Sequence, residues 1–331
     1  MKHRIAISVG DINGIGPELI LKSVQAYHSD PSIQFVIYAP ESVIRFYNEM
    51  YGMNIKFHVV TNDDLIPDAG ATIVDNANIA VTPRPGEISK IAGEVALDSI
   101  KQAVESVQKG YTSSLTTSPI SKESIQLAGS SHPGHTEYLS ELTGNSKFTM
   151  MLVSEAIRVA LVTSHIPLRK VSESITKNII SEKISIVNQS LLNDFGIQNP
   201  KIAVLGLNPH AGDGGVLGME EVEVISPVIR ELNKAGINCD GPYAADGWFG
   251  MGKYHEFDAV IAMYHDQGLA PFKALTFGKG VNYSAGLPII RTSPDHGTAF
   301  EISGKYLANN DSMLEAIKLA IILGQKRKGN I

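Results

Sequence analysis

At 331 residues the chain is longer than one hydrophobic core usually serves, so two domains are expected. Apolar residues make up 43% and charged residues 19%, which excludes a disordered chain. A net charge of −6 leaves no excess of Lys and Arg to neutralise phosphates, which excludes general nucleic-acid binding. The single cysteine, Cys239, rules out an intrachain disulfide and fits a reducing, cytoplasmic compartment. With no activating base near it in sequence, it reads as a packed, inert thiol.

The opening MKHRIAISVG is basic and then apolar for only a few residues, so residues 5–9 are expected to be a first strand and not a signal peptide. No run approaches the length of a membrane span. Residues 17–27 have helical spacing with Pro17 at the start. A strand over 35–39, a helix over 43–51 and a strand over 57–61 continue the rhythm, followed by a long helix over 92–109. This βαβ alternation predicts an α/β protein with a mostly parallel sheet. Residues 114–117 form a short strand before SPISK and another helix. Residues 130–137 are polar and turn-rich, and a helix runs over 138–142 to Gly144. Strands are predicted over 148–153, 159–163, 201–207 and 258–263, with helices over 179–195, 220–235 and 313–323. The cluster Lys326, Arg327, Lys328 reads as a solvated helix end. No repeat or long linker marks a domain boundary, and crossings are expected near residues 130 and 270.

Three of the ten histidines share one context. His165, His210 and His265 each follow a strand-like apolar run, and strand ends on one edge of a sheet lie close together. Three neutral imidazoles there could hold a divalent metal with a position open for substrate, and they suit zinc or another transition metal better than magnesium. Their spacings of 45 and 55 residues match no short zinc motif, so three unrelated histidines fit the spacing as well. The same set, with its neighbouring cations, also suits a metal-dependent hydrolase or aldolase.

His135 and Thr136 stand at an expected helix start, where free N–H groups favour an anion; Thr136 as a simple N-cap is the competing reading. Lys273 and Arg291 could hold phosphate or carboxylate, although singly each is more often a surface charge. Asn282 adds a polar contact between them. Residues 10–18, GDINGIGPE, are glycine-rich without being a dinucleotide fingerprint or a Walker loop. Asp295, His296, Gly297 and Thr298 form a second compact polar loop.

Taken together, GDINGIGPE, TTSPISKESI, GHTEYL, TSHIPL, LNPHAGDGG, GPYAADGWF, MYHDQGLAPFK and GVNYSAGLPIIRTSPDHGTAFEISGK resemble the 4-hydroxythreonine-4-phosphate dehydrogenase family of pyridoxal phosphate biosynthesis. The resemblance implies an isocitrate/isopropylmalate dehydrogenase-like fold: two α/β domains with a cleft between them. Residues 1–130 plus 268–331 would form the cofactor side, and residues 131–267 the part bearing the metal and the dimer interface. It implies a homodimer with shared active sites that binds neither nucleic acid nor membrane. His165, His210 and His265 fall on the family's metal ligands, one donated across the interface, with zinc the expected ion and magnesium or cobalt as alternatives. His135, Thr136, Lys273, Asn282 and Arg291 fall on substrate-binding positions. Asp295, His296, Gly297 and Thr298 fall in the loop that holds NAD or NADP. Asp246 and Lys273 are the expected catalytic groups. Two stretches depart from the family's usual pattern: Ile12-Asn13 stands where Pro-Ala is usual, and Gly247-Trp248 where Thr and an aliphatic residue are usual. These departures leave room for a related substrate such as threonate or erythronate 4-phosphate.

Overall fold

Apolar runs alternating with amphipathic stretches close most economically as parallel strands covered by crossover helices. The computed structural model describes residues 2–75 and 81–329. They divide into two units, Met1–Ser146 with Leu287–Gly329, and Lys147–Gly286. Both crossings come later in the chain than residues 130 and 270.

The first unit begins with β1 (His3–Ser8), α1 (Gly16–Ala26), β2 (Ile33–Tyr38), α2 (Glu41–Met50), β3 (His58–Val60), β4 (Thr72–Val74), α3 (Lys90–Gln108), β5 (Ser114–Thr117), α4 (Lys122–Leu127) and α5 (His135–Thr143). The second unit holds β6 (Thr149–Val153), β7 (Arg158–Leu161), α6 (Val171–Ser174), α7 (Lys177–Asn193), β8 (Ile202–Leu205), α8 (Ser226–Lys234), β9 (Cys239–Tyr243), α9 (Ala245–Gly250), β10 (Ala259–Ala262), α10 (His265–Thr276) and β11 (Val281–Ala285). The chain then returns to the first unit for β12 (Arg291–Pro294) and α11 (Asp311–Gly329).

In the first unit the strand order is β3-β4-β2-β1-β5-β12, and every pairing is parallel. Its core is built from Ile5, Ile7, Leu19, Ile20 and Ile37, all fully buried. Each such side chain contributes roughly 1.5–3 kcal/mol by leaving water. Helix α3 starts at Ser89, whose hydroxyl accepts a hydrogen bond from the Ala92 N–H at 3.2 Å. It buries a stripe of small residues, Ala92, Ala96 and Ala103, with Ile100 beside them. The carboxyl ends of β1, β5 and β12 are neighbours, so residues 9–15, 118–121 and 295–299 emerge together.

In the second unit the order is β11-β6-β7-β10-β8-β9. Strand β6 runs antiparallel to both β7 and β11, while β7, β10, β8 and β9 are parallel. The core gathers Val159, Leu161, Ala203, Leu205, Val260, Ala262 and Phe272. Helix α10 lies close on this sheet because residue 268 is glycine. A Cβ there would stand 2.7 Å from Val159 Cγ1 and 2.9 Å from Leu161 Cδ2. Cys239 is buried, and burial pushes its thiol up to about 11, as expected of an inert cysteine.

Helix α10 is absent from the sequence reading, which assigns no element between residues 263 and 313. Pro271 and Gly268 hide its periodicity. The C-terminal basic cluster also differs from a plain solvated end: Arg327 donates to the Pro288 carbonyl at 2.7 Å. The Lys328 side chain lies outside the described residues. No helix among the described residues is long and apolar enough to cross a membrane.

Candidate active site

The first unit gathers Arg291 and His135 at the carboxyl end of β5. Arg291 opens β12 and is 5% exposed. Its Nε and Nη2 both donate to Thr117 Oγ1, at 3.1 and 2.6 Å, which fixes the guanidinium against the end of β5. Burial pulls the Arg291 pKa down to about 10, so it remains a cation at neutral pH. His135 begins α5, and its Nε2 donates to the Ser118 carbonyl at 3.2 Å. That bond leaves Nδ1 as the acceptor of a neutral ring. Removal from water, and then the Arg291 charge, hold the His135 pKa well below its ordinary 6.5. Thr136 is the second residue of α5. The cap position belongs to Gly134, so Thr136 is not the N-cap.

The glycine-rich stretch 10–18 braces the loop that follows β12. The Ile15 N–H donates to the Thr298 carbonyl at 3.0 Å, and Ser303 Oγ donates to the Asn13 carbonyl at 2.6 Å. Further along, the Ala308 N–H and Lys22 Nζ both donate to Glu18 Oε1, at 2.8 and 2.7 Å. Asp295 is anchored by its N–H donating to Ser312 Oγ at 2.9 Å, and His296 Nδ1 lies 3.2 Å from the Gly297 carbonyl. Gly297 has open space where a Cβ would be, which leaves its backbone approachable.

Both departures from the usual family pattern have a structural account. Ile12 is fully buried in the first unit's core. Asn13 accepts from the Arg84 N–H at 2.7 Å and donates to the Glu87 carbonyl at 2.8 Å and to Ser89 Oγ at 3.2 Å, tying residues 84–89 to the strand end. Trp248 is 2% exposed and packs in the second unit's core, edge-on to Phe249 at 4.9 Å. It fills the core, whereas Asp246, two residues earlier, is exposed.

In the second unit the histidines follow β7, β8 and β10, three adjacent parallel strands. The ends of β7 and β10 are clamped by Thr163, whose Oγ1 donates to the Met263 carbonyl at 2.7 Å. His165 and His265 lie side by side, ring centroids 5.7 Å apart. His265 Nδ1 is 2.7 Å from Asp266 Oδ1, which leaves Nε2 to face outward. Gln267 joins the ends of β8 and β10, with Nε2 donating to the Gly206 carbonyl at 2.6 Å and Oε1 accepting from the Met263 N–H at 2.7 Å.

His210 follows β8 within the 3-10 turn Pro209–Gly215. It opens a run of left-handed backbone, φ 52° at His210, 51° at Ala211, 80° at Gly212, 44° at Asp213 and 64° at Gly214. For the three non-glycine residues that conformation costs roughly 1–2 kcal/mol each. Among the described residues, no three His, Cys, Asp or Glu side chains of one chain gather as a metal cage. Lys273, in the last turn of α10, is exposed, and Asn282 is half-buried on β11.

The sequence reading gives no role to Thr117, Ser118 or Glu221. Thr117 and Ser118 lie within a quoted motif, and their place at a strand end was the available signal. Nothing local marks Glu221, whose partners lie 13 and 14 residues earlier.

Among known proteins, the family described as "Pyridoxal phosphate biosynthetic protein PdxA" matches residues 32–320. The 4-hydroxythreonine-4-phosphate dehydrogenase of Bacteroides thetaiotaomicron is 47% identical, covering 99% of this chain and 90% of its own length. A protein of Oceanobacillus iheyensis, provisionally described as a D-threonate 4-phosphate dehydrogenase, is 38% identical, covering 97% of this chain and 98% of its own length. The crystal structure of 4-hydroxythreonine-4-phosphate dehydrogenase from Klebsiella pneumoniae superposes with a TM-score of 0.88 at 34% identity, over 98% of this chain and 99% of that one. With a family match across most of the chain and this level of identity over nearly all of it, the chain belongs to the PdxA family of pyridoxal phosphate biosynthetic proteins.

Proposed function

We propose that this chain is an NAD(P)⁺-dependent, metal-assisted dehydrogenase of 4-phosphohydroxy-L-threonine. It oxidises the secondary hydroxyl to give 2-amino-3-oxo-4-phosphooxybutanoate. That β-keto acid loses CO₂ to become 3-amino-2-oxopropyl phosphate, on the way to pyridoxal 5′-phosphate. The observation that carries this reading is the His165–His265 pair, with ring centroids 5.7 Å apart at the ends of neighbouring strands, in a chain of this family.

The donor set suits a divalent transition metal. Two imidazoles stand together, and a carboxylate on His265 Nδ1 orients the ring. His165 and His265 of one chain, with His210 of a second copy, would hold the ion, so the working enzyme is a homodimer with shared sites. Zinc is the expected ion, with cobalt or magnesium as alternatives. When bound, the ion polarises the hydroxyl oxygen and stabilises charge building there, while the nicotinamide accepts hydride.

The chain's own residues do the rest. Arg291 offers a fixed cation to a phosphate or carboxylate, and Thr136 adds a hydroxyl at the positive end of α5. His135, neutral, contributes Nδ1 as an acceptor for a substrate hydroxyl or a protonated phosphate oxygen. Lys273 and Asn282 bind further polar groups of the substrate. Asp246 takes the hydroxyl proton, and Lys273 can return a proton as CO₂ leaves. Asp295, His296, Gly297 and Thr298 cradle NAD or NADP on a loop braced by residues 13–18. The setting is cytoplasmic.

D-threonate or D-erythronate 4-phosphate is the second reading, favoured by the 38% identical relative from Oceanobacillus iheyensis. Trp248 argues against tracing that preference to the Gly247-Trp248 departure, because its ring is in the core. The test is to follow reduced nicotinamide absorbance with each of the three substrates, with and without a chelator. Metal-dependent reduction is expected with 4-phosphohydroxy-L-threonine at the highest kcat/KM. A higher kcat/KM with a threonate-type substrate would select the second reading. No reduction with any of them would contradict both.

A further inference from the structure

We infer that Glu221 is the positioning residue for His210. The inference rests on the proposal above that His210 is a metal ligand. Glu221 is 2% exposed, and its carboxylate is spent on the backbone just before His210. Oε1 accepts from the N–H groups of Leu207 and Asn208, both at 2.7 Å, and Oε2 accepts from Asn208 Nδ2 at 2.9 Å. Asn208 Nδ2 also donates to Glu220 Oε2 at 2.8 Å, and Glu220 Oε1 accepts from Ser172 Oγ at 2.7 Å. Two adjacent carboxylates therefore grip the same amide.

The far side of the loop rests on the same group. Gly212 has φ +80°, and a Cβ on it would stand 2.6 Å from Glu221 Oε2. The left-handed run from His210 to Gly214 thus wraps the carboxylate, closed by the Ala211 N–H on the Asn208 carbonyl at 3.1 Å and the Leu217 N–H on the Gly212 carbonyl at 3.0 Å. Glu221 itself opens a π-helical turn, Glu221–Ile225, ahead of α8. Such turns often mark functional positions. His210 is exposed, so core packing does not fix it. Its direction is set by its backbone, and that backbone is held by Glu221. A buried carboxylate is tolerated only when fully bonded, and here the bonds fix a loop whose own conformation is unfavourable.

The test uses full-length protein freed of metal: wild type, Glu221→Gln, Glu221→Ala and His210→Ala. Zn²⁺ affinity is read by competition with a chromophoric chelator, ligand geometry from the Co²⁺ absorption spectrum, and stability from the metal-free unfolding midpoint. Glu221→Gln keeps one acceptor oxygen and is expected to weaken Zn²⁺ binding about tenfold, and Glu221→Ala about a hundredfold, the range for groups that orient ligands. Both Co²⁺ spectra are expected to move towards that of His210→Ala. A lowered unfolding midpoint with wild-type affinity and spectrum would mean a purely structural role and overturns the inference. If Glu221→Ala does not fold, the Glu221→Gln affinity and spectrum decide alone. If His210→Ala binds Zn²⁺ like wild type, the metal reading itself falls, and this inference with it. Loss of Zn²⁺ in His210→Ala with no change in either Glu221 variant overturns the inference alone.

Discussion

The two units solve the same problem in opposite ways. In the first, the candidate side chains are buried or half-buried and already partnered: Arg291 on Thr117, His135 on the Ser118 carbonyl. Burial lowers both pKa values, which leaves Arg291, at about 10, still a cation at neutral pH and holds His135 neutral. In the second, His165, His210, Asp246 and Lys273 are exposed, and backbone geometry places them. Strand adjacency brings His165 to His265, and a left-handed loop on Glu221 presents His210. If the proposed function holds, a seat for an anion is finished within one unit, whereas a metal site that takes only two histidines from one chain is completed by a second copy.

The sharpest way to break this contrast is at the histidines of the second unit. His265→Ala is expected to lower kcat by about 10³-fold or more, since losing the ion forfeits several kcal/mol of transition-state stabilisation. Steady-state rates with and without added Zn²⁺ check it, and rates near wild type would contradict the metal assignment. Arg291→Lys should act differently. Lysine cannot reproduce the fork on Thr117, so KM for the phosphorylated substrate is expected to rise roughly 10–100-fold with a smaller change in kcat. Thr117→Val removes only the partner of that cation, and a fall of about tenfold in kcat/KM is expected, in line with a lost hydrogen bond to a charged group.

A pH experiment addresses the buried side of the comparison. His135 has a folded pKa below its ordinary 6.5, so the unfolded chain binds the proton first as pH falls. Its contribution to stability is full above 6.5 and is lost as pH drops from there towards the folded value. The unfolding midpoint of wild type should therefore fall more steeply below pH 6.5 than that of His135→Gln. Parallel curves would show that the ring is not held neutral. The smallest catalytic effect is expected at Trp248. Trp248→Leu should cost roughly 1–3 kcal/mol of stability through a cavity, yet leave the ranking of the three substrates unchanged.

Much of this was legible in the sequence, and the gaps have physical causes. Residues 114–117 and the strand before His265 could be read because apolar runs bounded by polar turns have few alternatives. Adjacency of the strand ends followed from βαβ logic. Helix α10 was hidden because Pro271 and Gly268 break the helical signal, although glycine is what lets that helix settle on β7. Glu221 was illegible for another reason: a buried carboxylate capping a loop 13 and 14 residues earlier has no local pattern. The departure at Asn13 reads in sequence as room for a related substrate; in the structure its side-chain amide ties residues 84–89 to the strand end.

The most direct test of a metal site shared between two copies is complementation between two inactive variants. His210→Ala and His265→Ala are unfolded and refolded together in equal amounts, and dehydrogenase activity is measured. If His210 serves the other chain's site, each mixed dimer holds one intact site with His165 and His265 from one chain and His210 from its partner. Random pairing then predicts recovery of about a quarter of wild-type activity from two inactive parents. No recovery in mixtures that demonstrably contain mixed dimers would contradict the account, because it would place His210 and His265 of each site within one chain.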